Sequence, residues 1–242
     1  MKEIEKKLWR KAFFYVGILQ IVPFVKMVSV CNSLAFSAVD EKSDIDLFIV
    51  AKNGRLFFVR TMITFILHIL AVRRHGNKVS GRFCLSFFID ESAANLHSLA
   101  LKKDVYLAYW ISSMVPLIDR SFSKDFLEKN FWIEDYFESS LRLDTSKVLP
   151  LSTFKRFLNG FVAMVFKGKF GDFCESKLMK WQLKRAKGKS INASKDASLV
   201  INEHILKFHN IDRRQKYADA WQEKFGDLKL TDERFLALRH FL

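Results

Sequence analysis

The sequence predicts an α+β protein in which a small mixed β-sheet is covered by helices and followed by a mainly helical C-terminal part. Large apolar residues are abundant, with 25 phenylalanines, whereas glycine and proline number only 9 and 3. This composition favours helices over the many short strands and turns of a sandwich. Short apolar runs alternate with long apolar segments up to residue 90, and the pattern then becomes mainly helical.

The sheet and its covering helices are predicted in a first domain, residues 1–118. Pro23 ends an N-terminal helix, and the Asn53-Gly54 pair supplies turn chemistry between the second strand and the following helix. Strands are predicted at 25–31, 44–51 and 83–89, a short extended piece at 115–118, and helices at 3–22, 56–72 and 104–114.

A second, basic helical domain is predicted over residues 119–242. The stretch 187–198, KGKSINASKDAS, is the best linker candidate because small, polar and charged residues dominate it. Helices are predicted at 123–137, 153–187, 213–225 and 232–241.

The net charge of +14 is unevenly placed along the chain. Residues 51–90 carry 7 Lys/Arg against 1 acid, and residues 151–242 carry 19 against 10. An excess of positive charge suits a polyanionic partner, either nucleic acid or an anionic membrane surface, although lysine-rich helices also serve solubility alone. The helical stretch 151–189 is expected to have its aromatics inside and its cations outside, which suits an RNA or DNA backbone and also an anionic membrane. Of these, nucleic acid or another phosphorylated substrate is the favoured partner.

Cysteine usage and hydropathy indicate a cytoplasmic protein. The three cysteines are far apart in sequence and form no CxxC pair, which argues against a disulfide framework or a zinc site. An apolar stretch at 12–25 is interrupted by Gln20 and Pro23, which argues against a signal peptide. No stretch reaches the roughly 18 uncharged apolar residues that a membrane span needs, so no transmembrane segment is expected.

The stretch from Asn32 to Val50, NSLAFSAVDEKSDIDLFIV, places two acidic residues at the start of an apolar run. Successive side chains of a strand point to opposite faces, so Asp44 and Asp46 are expected to share one face. Adjacent carboxylates repel each other, and burial adds a desolvation cost, so such a pair usually holds a cation. The alternative is structural, with Asp44 in a turn at the strand start and Asp46 paired with Arg60 or Arg82.

Asn32-Ser33, followed ten residues later by Asp44-Ile45-Asp46, resembles the motif of the DNA polymerase beta-like nucleotidyltransferase superfamily. There a hydrophobic strand runs into Gly-Ser, and an Asp-hydrophobic-Asp strand follows. The resemblance covers roughly residues 25–90 and is greatest to small bacterial members whose second part is helical. It implies a nucleotidyltransferase-like fold.

The resemblance also implies a chemistry for these residues. Asp44 and Asp46 would be the catalytic, metal-ligating pair and would hold Mg²⁺, while Asn32 and Ser33 would contact the phosphates of a nucleoside triphosphate, with ATP the expected one. A basic loop follows the long helix, and its cations would either grip the triphosphate or simply be solvated. Its candidate phosphate-binding residues are Arg73, Arg74 and Lys78.

This sequence departs from the family pattern at two positions. Asn32 stands where the family has Gly, and Asn tolerates a left-handed turn better than most residues. The family's third carboxylate belongs on a later strand, where this chain has Cys84 and Ser86, with Asp90 and Glu91 only at the strand's end. Ser33 is also a candidate N-cap of a short helix.

The sequence therefore leads to one main functional hypothesis and one alternative. The main hypothesis is a Mg²⁺-dependent nucleotidyltransferase that transfers a nucleoside monophosphate from an NTP to a hydroxyl acceptor, with RNA among the candidates. The alternative is a degenerate nucleotidyltransferase fold that binds nucleotide or nucleic acid without transfer. The absent third carboxylate favours the alternative, and the intact Asp pair favours the main hypothesis.

Overall fold

A computed structural model of the chain describes residues 2–138, 141–190, 198–209 and 212–239. Within these ranges the protein is built on one mixed six-stranded sheet with helices on both faces, which confirms the predicted α+β class. The strands are β1 (Val25–Cys31), β2 (Ile45–Ala51), β3 (Phe83–Asp90), β4 (Val115–Asp119), β5 (Ser198–Ile201) and β6 (Ile205–His209).

Nine α-helices accompany the sheet in the described part of the chain. They are α1 (Glu3–Leu19), α2 (Asn32–Ala35), α3 (Leu56–Ile69), α4 (Val105–Ser112), α5 (Ser123–Lys129), α6 (Thr153–Val165), α7 (Lys169–Ser190), α8 (Arg214–Phe225) and α9 (Asp232–Arg239). None of the helices described is long and apolar enough to cross a bilayer.

The sheet has the strand order β4-β1-β2-β3-β6-β5. Only β2 and β3 are parallel, and α3 makes the crossover between them. The remaining neighbours are antiparallel, including β3 with β6, which brings residues from the two ends of the chain together. The mixed sheet that the sequence predicts is therefore extended at its edge by two strands from the C-terminal part.

The two faces of β2 enter two different hydrophobic cores, because its side chains alternate. Leu47 and Ile49 pack in one core with residues of α1 and α3. Phe48 points to the other core, where its ring lies 5.1 Å from Phe87 and 5.3 Å from Trp110. The second face is the one on which the acidic pair lies.

The predicted single helix over 153–187 is wrong, because the chain breaks between α6 and α7. The expectation that its aromatic side chains lie inside is also wrong, because Phe157 and Trp181 are among several that are exposed. Gly168 has φ +73°, a left-handed conformation that favours glycine. A Cβ on Gly171 would lie only 1.8 Å from the Phe166 carbonyl oxygen, so the close approach at this bend also requires glycine. Propensity alone does not signal the break, since isolated glycines are tolerated inside helices.

The predicted helix over 123–137 is also shorter than expected. It ends at Lys129, and a 3₁₀ helix, Phe131–Tyr136, follows. The buried side chain of Asn130 at the junction donates to the carbonyls of Ala94 and Phe126, which fixes the turn. Of the other expectations, the extended piece at 115–118 is confirmed as β4, whereas the linker 187–198 lies partly in α7 and partly outside the described residues.

Helix α7 packs on α3 through two buried polar side chains. The Glu175 carboxylate accepts hydrogen bonds from the backbone N–H groups of Phe57 and Phe58, both at 2.8 Å. The first N–H groups of a helix have no hydrogen-bond acceptor within the helix. The Glu175 carboxylate on α7 supplies that acceptor for the first turn of α3. Gln182, two turns later, donates to the Phe57 carbonyl and to Thr61.

Candidate functional site

The acidic pair lies where β2 begins, at the edge of the second core. Asp44 immediately precedes the strand and Asp46 is its second residue, and both are partly exposed. The parallel register of β2 and β3 places Cys84 opposite Asp46. One ligand atom from each of Asp44, Asp46 and Cys84 lies within 4.8 Å of the other two, a spacing that can hold a metal ion.

The carboxylates repel each other strongly at this site. Burial, followed by the nearby charge of Asp44, raises the pKa of the Asp46 carboxyl to about 6. Burial, followed by the charge of Asp46, raises the pKa of the Cys84 thiol to about 12, so the thiol is protonated at neutral pH. A divalent cation would relieve this repulsion, and carboxylate oxygens are the ligands that Mg²⁺ prefers.

A left-handed turn lies beside the acidic pair. β1 ends at Cys31, which pairs with Asp46, and Asn32 then adopts φ +57°. Asn is among the few residues that accept this conformation, so it can take the place of the glycine in the family motif. The Asn32 side chain lies beside the Asp46 carboxyl and acts to lower its pKa, against the larger effect of burial, and its Oδ1 accepts a hydrogen bond from the Tyr106 hydroxyl at 3.4 Å.

Ser33 lies inside the first turn of α2, because the helix begins at Asn32. The candidate N-cap role for Ser33 is therefore wrong, and the N-cap position belongs to Cys31. Ser33 does line the cavity described next, so its placement near the acidic pair agrees with the sequence expectation.

A cavity of about 390 Å³ opens over the acidic pair, a size within the range of small-molecule sites. Its wall combines one face of the sheet, the turn at Asn32, α4 and the start of α8. The lining residues are Asn32, Ser33, Phe36, Asp44, Asp46, Phe87, Tyr106, Leu107, Trp110, Ser198, Lys207, Asp212, Arg213, Arg214 and Tyr217.

The cations of the predicted basic loop are placed differently from one another. The Arg74 guanidinium donates to the Asp44 carboxylate at 2.7 Å, so it contacts the acidic pair directly. Arg73 and Lys78 do not line the cavity, and Lys78 is exposed in a small turn closed by His75.

Cationic side chains of the C-terminal part line the cavity, a placement that the sequence analysis does not predict. Lys207 lies on β6 opposite Phe87, and its Nζ donates to the Ser198 hydroxyl at 2.6 Å. Burial, followed by the charge of Arg214, lowers the pKa of Lys207 to about 8. Arg213 is exposed at the cavity wall.

Arg214 is held rigidly by two acids. Its guanidinium lies 2.7 Å from Asp212 and 3.2 Å from Asp104, whose side chain is fully buried. Such a network fixes the start of α8 against α4. Lys207 is a charged residue within an apolar run, Ile205-Leu206-Lys207-Phe208. This pattern could have marked Lys207 as a candidate site residue, as the same pattern marked Asp46.

Asp90 and Glu91 do not supply a third carboxylate to the acidic pair. Asp90 is six residues beyond Cys84 on β3, which is about 20 Å along the strand. Asp90 contacts Ser92 and His204, and Glu91 forms an ion pair with Lys26 at 2.9 Å. Cys84 therefore occupies the third position beside Asp44 and Asp46.

Comparison with known proteins adds no assignment to this geometry. The chain matches no family model, and no curated protein sequence matches it. The resemblance to the nucleotidyltransferase superfamily stays a prediction that rests on the residues of the turn and the acidic pair.

Proposed function

We propose that this protein is a Mg²⁺-dependent nucleotidyltransferase whose site is the cavity over Asp44 and Asp46. The observation that carries the proposal is the acidic pair itself, two carboxylates on one strand face within ligand distance of a common point. The left-handed turn at Asn32 and the cavity above it support the same conclusion. The nucleotide would be an NTP, with ATP expected, and RNA is a candidate acceptor.

Each wall of the cavity offers a group suited to one part of an NTP. Asp44 and Asp46 would hold Mg²⁺, which when bound neutralises phosphate charge and orients the phosphates for in-line transfer. Backbone N–H groups and the Ser33 hydroxyl at the turn suit phosphate oxygens. Lys207 and Arg213 add positive charge on the opposite wall.

The aromatic part of the wall suits the base and sugar of a nucleotide. Tyr106 and Tyr217 lie with their ring centroids 4.9 Å apart, and Trp110 lies deeper in the cavity wall. Stacking on such rings tolerates any base. Base preference therefore has to come from polar contacts at the rim.

One observation favours a second function, nucleotide binding without transfer. The residue at the third position, Cys84, carries a thiol that is protonated at neutral pH and cannot take a proton from an acceptor hydroxyl. Under this alternative the Asp pair still binds Mg²⁺ and nucleotide, and only the chemical step is absent.

The experiment is a thermal unfolding series with each of the four NTPs, with and without Mg²⁺. A ligand at 100 times its Kd adds about 2.7 kcal/mol of stability, which is a readable shift in Tm. Asp44→Asn and Asp46→Asn are the test variants. Asp219→Asn, which changes an exposed carboxylate on α8, is the matched control.

Stabilisation by NTP that needs both Mg²⁺ and the two aspartates supports the nucleotide site. If Asp219→Asn also abolished the stabilisation, the effect would not be specific to the acidic pair. Transfer is then measured with α-phosphate-labelled NTP and RNA. Labelled acceptor supports the transferase, binding without labelling supports the second function, and no nucleotide effect on the wild type contradicts both.

A further inference from the structure

Helix α6 presents an apolar face to solvent. Its outward residues recur at helical spacing, and Phe154, Phe157 and Met164 are 70%, 69% and 68% exposed. The inward face is held to the protein by Asn159, whose side-chain amide donates to two carbonyls at the end of α1. An exposed apolar helix face of this size usually marks an interaction surface.

Helix α7 continues this chemistry with aromatic and basic residues on its outward side. Phe173 and Trp181 are 59% and 55% exposed. The Lys177 Nζ lies 5.4 Å from the centroid of the Phe173 ring, and the Arg185 guanidinium lies 5.7 Å from that of Trp181. Aromatic rings beside long cationic side chains are typical of segments that lie at a membrane interface.

The acids of this segment do not oppose its positive charge. Residues 151–189 carry ten Lys/Arg and only two acids. Asp172 forms an ion pair with Arg55 at 2.7 Å, and Glu175 is buried against the start of α3. The outward sides of α6 and α7 therefore present cations and apolar groups together.

We propose that this aromatic–basic surface, the outward sides of α6 and α7, docks on an anionic phospholipid membrane. The apolar face of α6 would enter the headgroup region with the helix lying parallel to the surface, while the lysines of α7 contact the lipid phosphates. This is peripheral attachment, and it does not depend on the proposed nucleotide site.

The same observations disfavour two other occupants. A second copy of the chain would bring its own lysines against these lysines, which is repulsive. A nucleic-acid duplex is bound at its phosphates by distributed cations, and its stacked bases do not reach the outward Phe157, Phe161 and Met164.

The experiment is co-sedimentation of the full chain with vesicles of phosphatidylcholine alone or mixed with phosphatidylglycerol. The apolar test variant is Phe157→Gln/Phe161→Gln, with Phe131→Gln as its control because Phe131 is 72% exposed on a different part of the protein. The charge test variant is Lys177→Glu/Lys180→Glu, with Lys102→Glu/Lys124→Glu as its control.

Binding to the anionic vesicles should fall about tenfold or more in each test variant and stay unchanged in each control. Circular dichroism melting checks that the variants remain folded, which is expected because all the changed side chains are exposed or at the surface. Raising salt should weaken the remaining binding.

Four results would overturn the proposal. The wild type would fail to sediment with anionic vesicles, or it would bind neutral vesicles equally well. If the wild type binds RNA but not vesicles, and Lys177→Glu/Lys180→Glu loses the RNA binding in a gel shift, the surface belongs to nucleic acid. Light scattering that shows a dimer disrupted by Phe157→Gln/Phe161→Gln would assign it to a second copy.

Discussion

Both ends of the parallel pair β2–β3 carry carboxylates, but the carboxylates at the two ends differ in the partners that the protein gives them. At the far end, Asp90 is 2% exposed and accepts hydrogen bonds from the Ser92 N–H and hydroxyl, and it lies 2.8 Å from His204. At the near end, Asp44 and Asp46 face each other and a neutral thiol, with Arg74 on one side only.

The difference separates a structural carboxylate from a binding one. Asp90 has its partners supplied by the protein and closes a turn. Ser92, His204 and Asp90 are the residue types of a hydrolase triad, yet Ser92 and Asp90 both contact Nδ1 of His204, so no proton path runs through the ring. Asp44 and Asp46 instead open onto a cavity and keep a charge repulsion that a cation would remove.

The largest expected effect is at the far end. Asp90→Ala should lower the free energy of unfolding by about 3 kcal/mol, because it removes a buried acceptor and leaves the Ser92 N–H without one of its acceptors. Chemical denaturation measures the change. Asp227→Ala is the control, since Asp227 is 92% exposed in a weak ion pair with Lys103 and should cost no more than about 0.5 kcal/mol.

At the near end, the Asp46 carboxyl should make the free energy of unfolding depend on pH. The pKa of Asp46 is raised from 3.8 to about 6 in the folded state, so the folded protein holds this proton more tightly than the unfolded chain does. Stability should therefore fall by about 2 kcal/mol as pH rises from about 4 to 6, allowing for solvent screening at a partly exposed carboxyl.

Asp46→Asn removes this decrease, because the amide does not titrate. Its free energy of unfolding without metal should equal or exceed that of the wild type at pH 7.5. A variant that is less stable than the wild type under these conditions, with the same pH profile, would show that the Asp46 carboxylate is structural after all. Urea unfolding at several pH values measures both quantities.

Cys84→Asp tests the third position of the acidic cluster. A third carboxylate adds repulsion, so the variant should be destabilised by about 1 kcal/mol without metal and should gain more stability from Mg²⁺ than the wild type does. Cys84→Ser is the isosteric control. If Cys84→Asp also gains transfer activity that the wild type lacks, the wild-type protein is the binding module; equal activity in both identifies a transferase that needs no third carboxylate.

An effect as small as that of Cys84→Asp is expected at the left-handed turn. Asn32→Ala should cost about 1 kcal/mol, because alanine is disfavoured at φ +57°. Asn32→Gly should change stability by less, since glycine accepts this conformation freely. A larger loss for glycine than for alanine would contradict this account of the turn.

The acidic pair could be predicted from sequence because its cause is local. Alternation along β2 puts Asp44 and Asp46 on one face, and the conformational tolerance of Asn explains why Asn32 holds the turn. Alternation along the strand 83–89 also indicated a residue without a carboxylate, Cys84 or Ser86, beside the pair, and Cys84 does lie opposite Asp46.

The other wall of the cavity could not be predicted because its cause is long-range. Lys207 reaches the site only through the pairing of β6 with β3, across more than a hundred residues of sequence. Arg214 is oriented by Asp104 and Asp212, and no sequence pattern links these partners. The break between α6 and α7 was missed for a different reason. Gly168 and Gly171 are required by the local backbone geometry of the bend, and isolated glycines in a helical pattern do not signal such a bend.

The most direct test of the central claim is a count of bound Mn²⁺ by electron paramagnetic resonance, with Mn²⁺ standing in for Mg²⁺ at oxygen ligands. The measurement compares the wild type with Asp46→Asn and Asp90→Asn in the presence of NTP. We expect one bound Mn²⁺ per chain in the wild type and in Asp90→Asn. In Asp46→Asn the affinity for Mn²⁺ should fall at least tenfold. Equal Mn²⁺ binding in the wild type and Asp46→Asn, or none in the wild type, would contradict it.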